Sequence, residues 1–148
     1  MFESAEQRAR AAVRRHLPDL AKQVLIPLGQ GLDNTAFVVE DLVLRVSDRS
    51  SVLREAQLLE LLAPRLPVPV PRPRFADGRL GVLAYPLLPG RPLLGRPALP
   101  GLAHRLGRFL RDLHDIDPTV FSDLLPRDDP DPAAWLQASM VRHGCSRG

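Results

Sequence analysis

Residues 24–55 read VLIPLGQGLDNTAFVVEDLVLRVSDRSSVLRE, and their order decides the fold. Val24-Leu25-Ile26 is a short apolar strand that runs into Gly29-Gln30-Gly31. Two further runs follow, Ala36 to Glu40 and Leu42 to Val46, both rich in β-branched residues. Glu40-Asp41 leaves room only for a tight hairpin turn, although the favoured Asn-Gly pair is absent. The stretch is therefore strand, glycine turn, strand, turn, strand. Ser51 to Ala63 then changes to helical spacing, with Leu53, Ala56, Leu59 and the neighbouring leucines expected on one broad apolar face and Pro64 as the stop.

Working outward, Ser4-Ala5-Glu6-Gln7 has the spacing of a capping box. Ala5, Ala9, Val13 and Leu17 continue it as an amphipathic helix over about residues 4 to 17. On the other side, Pro67, Pro69, Pro71 and Pro73 alternate and enforce an extended chain. That segment reads as an ordered connector, with an SH3-type ligand or low-complexity linker as the rival. Arg74 to Asp77, a turn at Asp77-Gly78 and Leu80 to Tyr85 predict a second hairpin. Pro86 to Pro100 is rich in proline and glycine, as a segment between lobes is. Leu102, Leu106, Phe109, Leu110 and Leu113 predict a helix over about 99 to 115. Asp131-Pro132 predicts the start of a last helix, about 132 to 142, that buries Trp135 and Leu136.

Composition narrows the function. The chain has 148 residues, 45% apolar and 25% charged, enough for one ordinary domain with a real core. Its one cysteine, Cys145, excludes an internal disulfide, and no apolar run has the length of a membrane span. These features, and an N-terminus without an apolar signal core, predict a cytoplasmic protein. The net charge is +3, and Lys22 is the sole lysine among 20 basic residues. Arg8, Arg10, Arg14 and Arg15 are the densest group, expected to be a solvated helix face. Aromatics make up 5% and none interleaves with that group, which argues against nucleic acid as a partner. No H-E-x-x-H, G-x-S-x-G or P-loop pattern is present.

Three features carry chemistry. Glycines at 29 and 31 let the backbone approach a phosphate, and Asn34 favours a tight turn beside them. Arg45 is a charge inside an apolar strand, which calls for a partner or a ligand unless the residue faces outward. Glu55 lies ten residues further on, across a turn, within reach of Arg45. Glycine-rich hairpin, cation on the third strand and glutamate on the next helix is the order of a kinase nucleotide lobe.

With these residues, the sequence resembles the aminoglycoside phosphotransferase family, which includes macrolide, homoserine and choline kinase-like relatives. Gly31-Leu32-Asp33-Asn34, Val43-Leu44-Arg45, Leu53-Arg54-Glu55, Val70-Pro71, Leu88 to Leu93 and Leu106 to His114 carry the resemblance, over about residues 20 to 117. It implies an α+β fold: a protein-kinase-like N-lobe with a five-stranded antiparallel sheet, residues 1–88, then the first helices of an incomplete α-helical C-lobe, residues 89–148. It implies ATP (or GTP) with Mg2+ as cofactor and a small-molecule hydroxyl as acceptor. Gly29, Gly31 and Asn34 would cover the phosphates. Arg45 would stand where kinases put a lysine, and Glu55 would be its ion-pair partner. Pro86 would accept from the base through its carbonyl, and Leu88 would donate back through its N–H.

The same resemblance expects a His-Gly-Asp loop with an asparagine five residues later, and then a metal-binding aspartate. His143-Gly144-Cys145 has cysteine in the aspartate's place. Asp128, Asp129 and Asp131 are better explained by prolines and a helix cap than by a metal. The expectation is a chain truncated before its catalytic and metal-binding segment, inactive alone. The alternative is a non-catalytic binding or interaction protein, oligomeric through an exposed lobe interface.

Overall fold

A computed structural model describes residues 4–48, 51–90, 95, 97 and 99–124. Helix α1 spans Ala5–His16, and its capping box is complete: Gln7 N donates to Ser4 Oγ and Ser4 N donates to Gln7 Oε1. Strands β1 (Ile26–Gln30), β2 (Asn34–Val39) and β3 (Leu42–Ser47) follow, then helix α2 (Val52–Leu62). Strands β4 (Phe75–Asp77) and β5 (Val82–Pro86) and helix α3 (Leu102–His114) come next, with short 3-10 helices at Pro18–Leu20 and Pro118–Phe121. All five strands join one antiparallel sheet in the order β1-β2-β3-β5-β4.

Strand alternation divides the sheet's faces. Leu42, Leu44, Val46, Val82 and Ala84 point outward and form a core with Ala9, Ala12 and Val13 of α1. Leu83 points inward and packs with Val52 and Ala56 of α2. The sheet is thus covered by α1 on its outer face and by α2 on part of its inner face. The inner side of β1 stays open: Ile26 is 60% and Leu28 57% exposed.

Several boundaries differ from the sequence reading. Strand β1 begins at Ile26, not Val24, and takes in Gly29 and Gln30, which pair with Ala36 and Thr35 after an irregularity between Pro27 and Gly29. Backbone pairing, available to glycine as to any residue, carries the strand through the first glycine. The β2–β3 turn is as tight as expected, with Glu40 at φ 51°, the left-handed geometry that a twisted hairpin demands. The second turn is longer than Asp77-Gly78, because the strands separate at Asp77 and rejoin at Val82. Asp77 Oδ1 accepts from Arg79 N at 3.1 Å and Leu80 N at 3.0 Å, and Gly81 closes the turn at φ 64°. On α2, Val52 and Ala56 are buried while Leu53 is 51% exposed, so the apolar stripe is rotated from the expected one.

The arginine cluster of α1 is not a uniformly solvated face. Arg8 is largely buried, donates to Ser47 O at 3.4 Å and pairs with Asp48. Arg15 lies 3.7 Å from Asp77 Oδ2, and His16 Nε2 lies 2.8 Å from the same oxygen. His16 also stacks on Phe75 at 4.4 Å. These contacts strap α1 across the end of the sheet. Burial pushes the Asp77 carboxyl up, but the bonds from His16 and Leu80 and the charges of Arg15 and His16 outweigh it, and its pKa is lowered. The 67–73 connector contains no helix or strand, as its prolines require. The expected helix at 132 to 142, the Asp128, Asp129 and Asp131 cluster and His143-Gly144-Cys145 lie outside the described residues.

Candidate nucleotide site

The inner face of the sheet presents two rows of side chains. Ile26, Val38, Val43 and Tyr85 stand opposite one another across β1, β2, β3 and β5. This row is apolar except for one phenol. The next row is Gly29, Ala36, Arg45, Leu83 and Ala76. Arg45 therefore faces inward, toward α2, and the outward-facing alternative is excluded.

Serine 51 caps α2, accepting from Arg54 N at 3.4 Å, and so sets the rotation that brings Glu55 onto Arg45 in the helix's first turn. Arg45 Nη2 pairs with Glu55 Oε2. Arg45 Nη1 donates to Asn34 Oδ1 at 3.1 Å. Both side chains of the ion pair are partly shielded from water. Tyr85 borders the pair: burial raises its phenol pKa, the Arg45 charge opposes this and the Glu55 charge adds to it.

The glycine turn is shorter than the sequence implied. Gly31 N donates to Asn34 O at 2.8 Å, which closes a turn through Leu32 and Asp33. Asn34 is the first residue of β2 and its side chain engages Arg45, not the turn. A Cβ built on Gly29 meets nothing within 4 Å, and one on Gly31 meets only Asn34 O at 3.7 Å. Neither has a positive φ. Packing and backbone strain therefore require glycine at neither position, and space above the strand end is open.

At the far end of the same face, β5 runs out at Pro86, opposite Leu42. Leu87 N donates to Asp41 O at 2.7 Å, which pins the exit. The Leu88 N–H has no backbone partner among the described residues. Arg45 and Pro86 are three positions apart in register, about 10 Å along the strand. Among the described residues, no group of three or more His, Cys, Asp or Glu is placed to hold a metal ion. No helix among them is long and apolar enough to cross a membrane.

The structure thus brings Asn34, Arg45 and Glu55 into one cluster, with Gly29 and Gly31 at one end of the open face and Pro86 and Leu88 at the other. Sequence reasoning missed the Asn34–Arg45 bond. Its signal was available, since both residues fall on one face once the Glu40-Asp41 turn fixes the register. The Val38–Val43 row was equally implicit in that register.

A glycine-turn hairpin, a strand cation paired to a helix glutamate and strand order β1-β2-β3-β5-β4 define a kinase-like N-lobe. The chain belongs to the phosphotransferase enzyme family, whose sequence model matches residues 24–144. No functionally curated protein matches it by sequence. Among solved structures it is similar to a GDP and kanamycin complex of APH(2")-IIIa (TM-score 0.74, 22% identity, 91% of this chain and 51% of that one). It is also similar to ADP-bound aminoglycoside phosphotransferase APH(2'')-Ib (TM-score 0.63, 21% identity, 93% and 53%). A third is the streptomycin–ATP–APH(2")-IIa ternary complex (TM-score 0.62, 23% identity, 88% and 48%). At these identities the likeness establishes the fold, and the chain spans about half the length of each of these proteins.

Proposed function

We propose that this chain supplies the nucleotide-binding lobe of an ATP- or GTP-dependent phosphotransferase acting on a small-molecule hydroxyl. Residues 1–88 would build the lobe through its hinge, and 89–148 would open the helical lobe. The observation that carries the reading is the inward-facing Arg45–Glu55 pair beside an open glycine-ended strand. The base would lie against exposed Ile26 and half-buried Val38, with buried Val43 beneath them. Its polar edge would meet the Pro86 carbonyl and the Leu88 N–H. The phosphates would extend toward Gly29, Gly31 and Arg45, where a cation of fixed charge favours them. The similar structures hold GDP, ADP and ATP, which supports a purine nucleotide.

Phosphoryl transfer also needs a base for the acceptor hydroxyl and, in the family, carboxylates for Mg2+. The described residues do not fit a magnesium site, so no step is assigned to the metal. No His-Gly-Asp sequence occurs in the 148 residues, and the chain assayed alone is expected to bind nucleotide weakly without turning it over. A cytoplasmic setting agrees with the single cysteine. Competition of ATP and GTP against a fluorescent ADP analogue, alongside a phosphate-transfer assay on a panel of small alcohols, tests the proposal. Saturable binding without transfer supports it; no saturable binding overturns the nucleotide site, and transfer overturns the expected inactivity.

One observation favours a second reading, a non-catalytic interaction protein. Helix α3 carries Leu102, Leu106, Phe109 and Leu113 on one stripe, yet none of its residues is buried. A stable oligomer on size-exclusion chromatography with light scattering, without nucleotide binding, would favour that reading.

A further inference from the structure

Arg45 is held at two points. Glu55 takes Nη2, and Asn34 takes Nη1 at 3.1 Å. The second contact does not follow from the ion pair and has its own structural origin. Asn34 lies two residues before Ala36, the register partner of Arg45, so alternation puts both side chains on the inner face. A guanidinium has donors only, so the carboxamide must present its oxygen to Arg45. The Asn34 backbone is engaged as well, since its carbonyl accepts the Gly31 N–H. One residue thus joins closure of the glycine turn to orientation of the strand cation.

We propose that Asn34 is a positioning residue that fixes the plane of the Arg45 guanidinium beside the glycine turn, rather than a group that itself holds phosphate. A planar ion anchored at Glu55 alone can swing about that contact. Anchors at both terminal nitrogens, one on β2 and one on α2, remove the swing. Two of its five N–H donors are used, and the others have no partner among the described residues. They stay available to an anion without release of either anchor. The same geometry accounts for arginine in a place where kinases use lysine. An ammonium would have to serve Asn34, Glu55 and phosphate from a single atom, whereas the fork divides the work. For its role toward phosphate, though not for the clamp itself, the inference rests on the nucleotide site proposed above.

The test uses the uniformly 15N-labelled 148-residue chain, with the Arg45 guanidinium resonances assigned by their loss in Arg45→Lys. The wild type should show slowly rotating, separately resolved Arg45 Nη protons. Asn34→Ala should merge or broaden them while the backbone amide spectrum stays folded. Asn34→Asp, which keeps the acceptor oxygen, should restore them. Inorganic tripolyphosphate serves as the anion probe, and its affinity should fall on the order of tenfold in Asn34→Ala, the loss of one oriented charged hydrogen bond. An unchanged Arg45 spectrum in Asn34→Ala, or no restoration in Asn34→Asp, overturns the proposal. If the wild type binds neither tripolyphosphate nor nucleotide while Asn34→Ala still collapses the Arg45 signals, the clamp stands and the nucleotide site falls.

Discussion

Removing Glu55 measures how much the site's ion pair contributes before any ligand arrives. The Arg45 side chain is 18% exposed and that of Glu55 31%, so the pair lies between two regimes. Fully exposed pairs contribute about 0–1 kcal/mol, and breaking a buried one costs about 3–5 kcal/mol. Glu55→Ala strands a shielded guanidinium but leaves it the Asn34 bond, which places the expected loss near 2 kcal/mol. Part of that loss is helix-related, since Glu55 also sits in the favourable first turn of α2. A double-mutant cycle separates the contributions: Arg45→Ala, Glu55→Ala and both together, each unfolded in urea under identical buffer. The expected coupling is about 1–2 kcal/mol, with the double variant more stable than the sum of the single losses implies. Coupling below about 0.5 kcal/mol would mean that the two residues do not sense each other in solution and that the pair is absent there.

Three further predictions concern the strap between α1 and the sheet and the turn beside it. Asp77→Ala removes the acceptor used by His16, Arg79 N and Leu80 N, and should cost about 2–4 kcal/mol by urea denaturation. Because the Asp77 pKa is lowered from 3.8, its contribution is complete above that value and disappears as pH falls through the folded-state value. Asp77→Asn should therefore flatten the acid limb of stability against pH, and an unchanged limb would contradict the assignment. Gly81→Ala should cost about 2–4 kcal/mol, since φ is 64° and the new Cβ would lie 2.6 Å from the Ser47 carbonyl oxygen, a backbone atom with little freedom to yield. A shift in urea midpoint worth less than about 1 kcal/mol would show that this turn relaxes easily.

The apolar run Leu42 to Val46, broken by one arginine, and the helical spacing of Ser51 to Ala63 were enough to place β3, α2 and the Arg45–Glu55 pair. Local patterns of that kind are written in single segments. Contacts between distant segments were not legible. Arg8 with Asp48, and His16 with Asp77, join residues about 40 and 61 positions apart, and nothing in the arginine-rich helix itself distinguishes a strap from a solvated face. The glycine turn differs from the sequence pattern for a related reason: whether Gly29 and Gln30 belong to a strand depends on what Ala36 and Thr35 pair with, not on glycine's own preference. Leu53 shows the same limit on α2, where the buried arc was set by docking on Leu83 and left that leucine over Gly78.

The proposed nucleotide position is the open inner face between the glycine turn and the strand exit. Backbone and arginine side-chain NMR shifts, followed while ADP and ATP are added to the 15N-labelled chain, read this directly. Saturable changes should be confined to the Gly29 and Gly31 amides, Asn34, Val38, the Arg45 guanidinium and the Leu88 amide, with α1 undisturbed. Changes centred on α1 or α3, or no saturable change at Arg45 and Leu88, would contradict it.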